Sequence, residues 1–214
     1  MKHFIRKKGE NLRKDEVALE AGSLLNPSRI GLCATMGHST VPVVKRLKVA
    51  IISTGDELKQ PGVELERGQI YESNSFGISG LVNWLGHTPV RMHSVGDTID
   101  DLREALNRAS TECDLILTSG GVSMGEWDLV RKIMEEEGDI HFWRVKLRPG
   151  SPPLFGKWNN TPIFGLPGNP VSSHVVFRML VAPWIRHNTL TSEPAEIMIT
   201  AKLSTKVKSS KDCL

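Results

Sequence analysis

The stretch that decides the fold is 114–125, which reads Asp-Leu-Ile-Leu-Thr-Ser-Gly-Gly-Val-Ser-Met-Gly. A segment of strand length, 114–118, with Leu-Ile-Leu in its middle, passes directly into a glycine-rich loop. The amphipathic segment 126–137 that follows has the apolar spacing of a helix. A buried strand, a glycine loop and a helix in this order form the repeating unit of a parallel α/β sheet.

The same alternation of strands and helices runs from residue 47 to residue 187. The order β-α-β-α-β-α-β-β-β-α predicts a three-layer αβα domain of the α/β class with a mostly parallel sheet, because parallel strands are joined by right-handed crossovers. Asn159-Asn160-Thr161 is a hairpin signal between the last two strands. The predicted strands are 49–52, 90–95, 114–118, 141–147, 154–158 and 162–166. The predicted helices are 74–85, 99–109 with Thr98 as its N-cap, 126–137, and 170–186 with Asn169 as its N-cap.

Two smaller segments flank this domain, at 1–46 and 188–214. The first is expected to hold short strands at 15–18 and 21–25, and then a helix from Pro27 to about residue 36 with Asn26 as its N-cap. The second begins with a predicted strand at 195–203. Each looks like an incomplete β-containing domain that cannot bury a core of its own. The chain is therefore expected to be a truncated form or a fragment of a longer protein.

Composition excludes several classes of function. With 39% hydrophobic and 24% charged residues in 214, the chain reads as a soluble globular protein. No apolar run approaches the ~20 residues that span a bilayer, and no signal peptide is recognisable. Three scattered cysteines suit a reducing compartment, so we expect a cytoplasmic protein. A net charge of +3 without a basic and aromatic stripe argues against nucleic-acid binding.

Four glycine-bearing loops follow predicted strands, at 53–58, 119–125, 148–152 and 166–170. Because ligands of open α/β sheets bind outside the carboxyl ends of the strands, these loops are expected to meet at one edge and present backbone N–H groups to an anion. Ordinary capped turns are the alternative. Neither a P-loop lysine nor a GxGxxG spacing is present. The candidate anion-binding residues in the first, second and fourth loops are Thr54, Gly55, Ser119, Gly120, Gly121, Ser123, Pro167, Gly168 and Asn169.

Carboxylates fall at the same predicted edge, at Asp56, Glu57, Asp97 and Asp128. Acids facing an anion-binding floor would repel the anion unless a cation lies between them. Mg²⁺ suits this place because it uses a few carboxylates together with phosphate oxygens and water. Helix capping by Asp97 and Asp128 is the alternative for these two residues.

Cations form a further candidate feature. Arg144, Lys146 and Arg148 alternate along the predicted strand that leads to Pro149 and Gly150, and such a cationic face could bind a second anion. An exposed edge strand protected by charge is the alternative. Nucleophilic serine catalysis is not favoured, because no serine has histidine and aspartate nearby in sequence.

Together these stretches resemble the molybdopterin molybdenumtransferases of molybdenum-cofactor biosynthesis, including the corresponding domain of gephyrin. The resemblance rests on 49–58, the helix start at Asn74, 119–128, 148–150 and 165–172. It implies a molybdopterin-binding domain that acts in a homodimer. It also implies Mg²⁺-dependent insertion of molybdate into adenylylated molybdopterin with release of AMP.

The resemblance also implies residue roles. Glu57, Asp97 and Asp128 match acidic active-site positions of the family, as catalytic residues and metal ligands. Arg144 and Arg148 stand where family members often have lysine. One departure is Ser151, because the family motif Pro-Gly-Lys-Pro reads Pro-Gly-Ser-Pro at 149–152.

Two other functions remain open. One is a molybdopterin adenylyltransferase of the same fold, which would make the adenylylated intermediate from ATP and could also be a partner of this protein. The other is a non-catalytic pterin-binding or scaffold fragment. The segments at both ends favour the transferase over the usually single-domain adenylyltransferase, whereas Ser151 and the missing domains favour the binding protein.

Overall fold

The computed structural model describes residues 5–92, 98–121, 128–191 and 199–206. The chain divides into two compact units. The larger unit comprises Arg46–Trp184 with Thr200–Leu214, and the smaller comprises Met1–Lys45 with Ile185–Ile199.

The larger unit contains eight strands in its described part. Along the chain they are β1 (Lys48–Ser53), β2 (Leu58–Lys59), β3 (Ile70–Tyr71), β4 (Thr88–Arg91), β5 (Leu115–Ser119), β6 (Asp139–Trp143), β7 (Leu154–Trp158) and β8 (Thr161–Leu166). Six of them form one sheet in the order β4-β1-β5-β8-β7-β6, and β2 pairs with β3 separately. Only β7 runs antiparallel to its neighbours in the sheet. The predicted α/β class with a mostly parallel sheet is confirmed.

The helices are α1 (Pro27–Thr35), α2 (Asn74–Trp84), α3 (Ile99–Glu112), α4 (Leu129–Glu136) and α5 (Pro170–Val176), followed by a π-helical segment (Phe177–Val181) and α6 (Ala182–Asn188). Helix α2 contacts β1, β4 and α5, whereas α3 and α4 contact each other and β7. Helix α2 therefore lies on one face of the sheet, and α3 and α4 lie on the other. Right-handed crossovers explain this arrangement, because the chain moves from β1 outward to β4 and then back past β1 to β5.

The core lies on both faces of the central strands. Residues 49–53 of β1 and all of β5 are buried, as expected for strands covered by helices on both sides. On the face covered by α3 and α4, alternate strand residues meet the apolar stripes of the two helices. This cluster includes Ala50, Ile52, Leu102, Leu106, Ala109, Ile116, Val130, Ile133, Met134 and Ile163.

Several local predictions are confirmed at their caps and turns. Thr98 Oγ1 accepts from the backbone N–H of Asp101 at the start of α3, and Asn26 caps α1 in the same way. Asn159 and Asn160, with φ of 46° and 65°, form the hairpin turn between β7 and β8.

Other predictions need correction. The strand expected over 141–147 ends at Trp143, because Arg144 takes a left-handed φ of 73° and its N–H donates to the carbonyl of Pro153 at 2.9 Å. Arg144, Lys146 and Arg148 therefore do not alternate along a strand. Helix α4 begins at Leu129 and not at 126, since Asp128 has a non-helical ψ of 72°.

In the smaller unit the two short strands expected at 15–18 and 21–25 are wrong. These residues form turns and irregular chain, with left-handed φ angles at Asp15 and Gly22. The helix expected after Asn26 is present as α1 and buries Cys33. Of the strand expected at 195–203, residues 199–203 are not in a strand, and the rest lies outside the described residues. No helix in the described parts of the chain is long and apolar enough to cross a membrane.

Candidate functional site

The loops expected to converge do so because their strands end in register. Ser53 of β1 pairs with Ser119 of β5, and Ser119 pairs with Leu166 of β8. The connection 144–153 joins β6 to β7 at the same edge, since Leu154 pairs with both Gly165 and Trp143. We call the loops 54–58, 120–121 and 167–169 the rim.

Backbone hydrogen bonds extend the sheet into the rim. The N–H of Thr54 donates to the carbonyl of Ser119 at 3.2 Å, and the N–H of Gly120 donates to the carbonyl of Leu166 at 3.1 Å. Thr54 and Ser119 are buried. The rim loops are therefore held to one another by their main chains and not only by side-chain contacts.

Glycine is required where the rim loops approach each other. Gly120 has a φ of 94°, and a Cβ on it would lie 3.0 Å from the carbonyl oxygen of Thr54. Gly121 has a φ of 64°, and a Cβ there would lie 2.9 Å from a methyl of Val130. A Cβ on Gly168 would lie 3.7 Å from the Cα of Gly120, in ordinary contact. The close approach at Gly120 and Gly121 supports the expectation of a backbone floor.

Glu57 folds back over the first rim loop. A Cβ on Gly55, whose φ is 142°, would lie 2.6 Å and 2.8 Å from the two carboxylate oxygens of Glu57. The carbonyl of Glu57 accepts from the N–H of Ile70 at 2.9 Å, which ties this loop to β3. Glu57 itself is exposed, so its carboxylate is available at the rim surface.

Asp128 lies at the N-cap of α4 without capping it. Its side chain makes no cap hydrogen bond, and Oδ2 is buried without a hydrogen-bond partner among the described residues. A buried carboxylate oxygen with no donor is unfavourable unless a cation or another ligand satisfies it. Asp128 therefore fits the chemistry of a metal ligand better than the alternative of helix capping.

The expected metal set is only partly described. Asp97 and Ser123 lie outside the described residues. Within 5–92, 98–121, 128–191 and 199–206, no group of three His, Cys, Asp or Glu side chains is close enough to hold a metal ion. Glu57 and Asp128 are the two members of the expected set that the structure places.

The connection 144–153 is shaped by side chains. The guanidinium of Arg144 lies 4.5 Å from the ring centroid of Trp143, and that of Arg131 lies 3.8 Å from the same centroid. Gly150 is buried, and a Cβ on it would lie 2.8 Å from a methyl of Val176. Arg148 is exposed and its peptide bond to Pro149 is cis.

The fourth glycine loop forms the start of α5. Asn169 Oδ1 accepts from the N–H of Ser172 at 3.2 Å, as its predicted capping role requires. Ser173 Oγ donates to the carbonyl of Pro167. Pro167, Gly168 and Asn169 are thus fixed beside the loop that follows β5.

Three residues at this edge were missed by sequence reasoning. Glu72 is a charged residue with 2% exposure, and it accepts hydrogen bonds from Ser53 and Ser75. Asn74 bridges two rim loops through its amide nitrogen. Arg91, the last residue of β4, stacks 3.5 Å from the ring centroid of Phe76. The only signal in the sequence was the position of Asn74 at a helix start.

Comparison with known proteins gives the family. Residues 50–187 match a family model described as a probable molybdopterin binding domain. The chain is 40% identical over 181 residues to the molybdopterin molybdenumtransferase of Haemophilus influenzae, covering 85% of this chain and 45% of that protein. It is 35% identical over 210 residues to the gephyrin of Dictyostelium discoideum, covering 85% and 29% respectively.

A solved structure gives the same result. The chain is similar to the crystal structure of the molybdopterin biosynthesis moea protein from Pyrococcus horikosii, with a TM-score of 0.78 and 32% identity. The match covers 86% of this chain and 46% of that one. The chain spans about half the length, or less, of the relatives compared here.

Proposed function

Because this chain belongs to the family of probable molybdopterin binding domains, we propose that its rim binds the phosphate end of adenylylated molybdopterin. In the complete protein, the reaction is the insertion of molybdate into this pterin with release of AMP. The observation that carries the proposal is the register of β1, β5 and β8. Because these strands end level with one another, the three glycine loops that follow them lie side by side at one edge of the sheet.

The rim residues bind and orient the substrate. Backbone N–H groups of glycine loops are typical donors to phosphate oxygens. The N–H of Gly120 already donates to the carbonyl of Leu166, so the proposed donors are the N–H groups of Gly121, Gly168 and Asn169. Thr54 and Ser119 add hydroxyl groups beside them. Arg144 and Arg148 supply positive charge at the same edge, where planar guanidinium groups suit tetrahedral oxyanions. Ser151 adds no charge at this place, so these two arginines carry the cationic role.

Mg²⁺ is part of the proposal, held by Glu57, Asp97 and Asp128. When bound, it neutralises phosphate charge during cleavage of the bond to AMP. The buried, unpartnered Oδ2 of Asp128 supports this assignment, since it requires a cation or a donor. Asp128 and Glu57 would hold the ion, and the Glu57 carboxylate lies over the first rim loop.

We infer a homodimer for the complete protein, acting in the cytoplasm and receiving its substrate from a molybdopterin adenylyltransferase. This inference follows from the family resemblance described above, by analogy. The molar mass of the complete protein in solution, measured by light scattering, tests the dimer directly.

The experiment is an assay of the purified 214-residue chain with adenylylated molybdopterin, Mg²⁺ and molybdate. Molybdate-dependent release of AMP and metal-loaded pterin supports the transferase. Consumption of ATP with free molybdopterin instead indicates the adenylyltransferase. Binding of the pterin without either reaction indicates the non-catalytic protein, which the missing cation at Ser151 favours.

Asp128→Asn tests the metal assignment within the same assay. The substitution keeps the size of the side chain and removes its negative charge, so Mg²⁺-dependent turnover should fall by about a hundredfold or more. The thermal unfolding midpoint should change little, because Oδ2 has no hydrogen-bond partner to lose in the described part of the chain. Turnover equal to that of the unsubstituted chain contradicts the role of Asp128.

A further inference from the structure

We propose that Asn74, held in place by Glu72, is a positioning residue that fixes the loops after β5 and β8 relative to each other. These are the loops that receive the phosphate end of the pterin, so the inference rests on the proposed function. Asn74 is not among the residues that the family resemblance identified as site residues, and its role follows from its contacts alone.

The contacts of Asn74 join two parts of the rim. Its Nδ2 donates to Ser119 Oγ at 2.6 Å and to the carbonyl of Gly168 at 2.7 Å. A carbonyl oxygen can only accept, so the contact with Gly168 identifies the atom facing it as the amide nitrogen. Both hydrogens of that nitrogen are used. One side chain therefore sets the separation of the β5 end and the β8 loop.

Backbone hydrogen bonds alone restrict the distance between the end of β5 and the loop after β8 less than Asn74 does. The last main-chain bond between the two strands is the one from Gly120 N–H to the carbonyl of Leu166. Gly168 lies two residues beyond it, yet a Cβ on Gly168 would lie only 3.7 Å from the Cα of Gly120. Asn74 therefore fixes the loop after β8 beyond the point where hydrogen bonds of the sheet hold it.

Glu72 fixes the position of Asn74. Its Oε1 accepts from the backbone N–H of Ser75 at 2.7 Å and from Ser53 Oγ at 3.0 Å, and its Oε2 accepts from Ser75 Oγ. Ser73, the formal N-cap of α2, makes no side-chain cap bond. Glu72 therefore caps α2 in its place and ties the first turn of that helix to the end of β1.

Arg91 also holds the start of α2 in place. Its Nε donates to Ser75 Oγ at 3.1 Å, while its guanidinium stacks on Phe76. The hydroxyl of Ser75 thus links a cation to the buried carboxylate of Glu72, which offsets the cost of burying that charge. The start of α2, and Asn74 with it, is held from β1 and from β4.

One atom of Asn74 indicates more than a structural role. Its Oδ1 is buried and has no hydrogen-bond partner among the described residues. A buried acceptor without a donor is rare in folded proteins, and such groups concentrate at functional sites. This oxygen lies at the junction of the loops after β5 and β8, so its missing donor marks that junction as part of the proposed site.

The test compares Asn74→Ala with Asn83→Ala, which removes an exposed asparagine from the same helix. Three quantities are measured on the 214-residue chain: backbone amide hydrogen exchange, the dissociation constant for molybdopterin, and KM and kcat for AMP release. Glu72→Asp serves as a second variant, because it keeps the carboxylate and shortens its reach.

We expect Asn74→Ala to speed exchange of the amides at 119–121 and 168–169 by about tenfold or more, with α3 unchanged. KM and the dissociation constant should rise by about tenfold while kcat changes less than about threefold, because the loops bind the phosphate equally in ground and transition states. Glu72→Asp should give a smaller change of the same kind, and Asn83→Ala none.

Unchanged exchange at 119–121 in Asn74→Ala overturns the inference, as does an increase that is uniform across the domain. An equal rise in KM for Asn83→Ala also overturns it. If the unsubstituted chain neither binds molybdopterin nor releases AMP, the proposed function is wrong. The exchange measurement then decides the positioning role by itself.

Discussion

The rim and the connection 144–153 lie at the same edge of the sheet but keep their shape by different means. The rim is held by main-chain hydrogen bonds from Thr54 and Gly120 and by glycines that leave no room for a Cβ. The connection also has main-chain hydrogen bonds, such as the one from Arg144 N–H to the carbonyl of Pro153, but its arginines are placed by contacts of side chains, such as Arg144 on Trp143. The difference indicates a rigid floor for the phosphates beside adjustable cations.

The largest effect should come from a change in the rim. Gly120→Ala places a Cβ 3.0 Å from the carbonyl oxygen of Thr54 at a φ of 94°. The left-handed backbone and the close approach together should destabilise the chain by roughly 2–3 kcal/mol, as urea unfolding would measure. Binding of molybdopterin should weaken in parallel, since the loop must move to relieve the contact.

Gly80→Ala is the matched control for this prediction. Gly80 lies inside α2, and a Cβ there has nothing within 4 Å. The substitution should stabilise the chain by about 0.5–1 kcal/mol, because alanine is the better helix former. If Gly120→Ala were as well tolerated as Gly80→Ala, the rim would not be the rigid region described above.

A smaller effect is expected in the connection. Trp143→Leu removes the ring on which the guanidinium groups of Arg131 and Arg144 lie. We expect a loss of about 1–2 kcal/mol in the free energy of unfolding. KM for AMP release should rise only by about two- to fivefold, since Arg144 keeps its charge.

Trp143→Phe sharpens this prediction, because it retains an aromatic face for both arginines. It should recover at least about half of the lost stability and most of the KM. Loss of turnover in Trp143→Leu as large as in Gly120→Ala would mean that the connection is as rigidly required as the rim.

The same contrast explains what could be predicted from the sequence. The strands at 49–52 and 114–118 and the caps Asn26, Thr98 and Asn169 were predicted because each depends on neighbours within a few residues. The prediction that the glycine loops lie at one edge of the sheet is confirmed, because the carboxyl ends of parallel strands meet at the same edge.

The features that could not be predicted from the sequence depend on contacts between residues that are far apart along the chain. The end of β6 at Trp143 follows from the left-handed φ of 73° at Arg144 and from the bond of its N–H to the carbonyl of Pro153, which no local pattern records. The partners of Asn74 lie 45 and 94 positions away along the chain. Burial of Glu72 is likewise a property of the folded chain, because an isolated glutamate before a helix is usually exposed.

The smallest predicted effect concerns the titration of His87, which lies at the edge of the sheet opposite the rim. His87 Nδ1 accepts from the N–H of Leu47 at 3.2 Å. Burial, and then the nearby charge of Arg46, lower the pKa of His87 below its usual value near 6.5. The unfolded chain therefore takes up a proton on His87 first, so this residue's contribution to stability is complete above about pH 6.5 and decreases as the pH falls below it.

His87→Gln removes this titration. The free energy of unfolding of the variant should fall less steeply between pH 7 and pH 5.5 than that of the unsubstituted chain. The dissociation constant for molybdopterin should be unchanged, because His87 lies at the amino ends of the strands, away from the rim. Equal pH dependence in both proteins would show that His87 has no such role.

Substrate protection of backbone amides tests the central claim most directly. Hydrogen exchange of the 214-residue chain is measured with and without adenylylated molybdopterin and Mg²⁺. The account predicts slower exchange at 54–58, 119–121 and 168–169, and no change at the hairpin turn 159–160 on the opposite edge. Protection that spares the rim, or that appears at the hairpin turn instead, would contradict it.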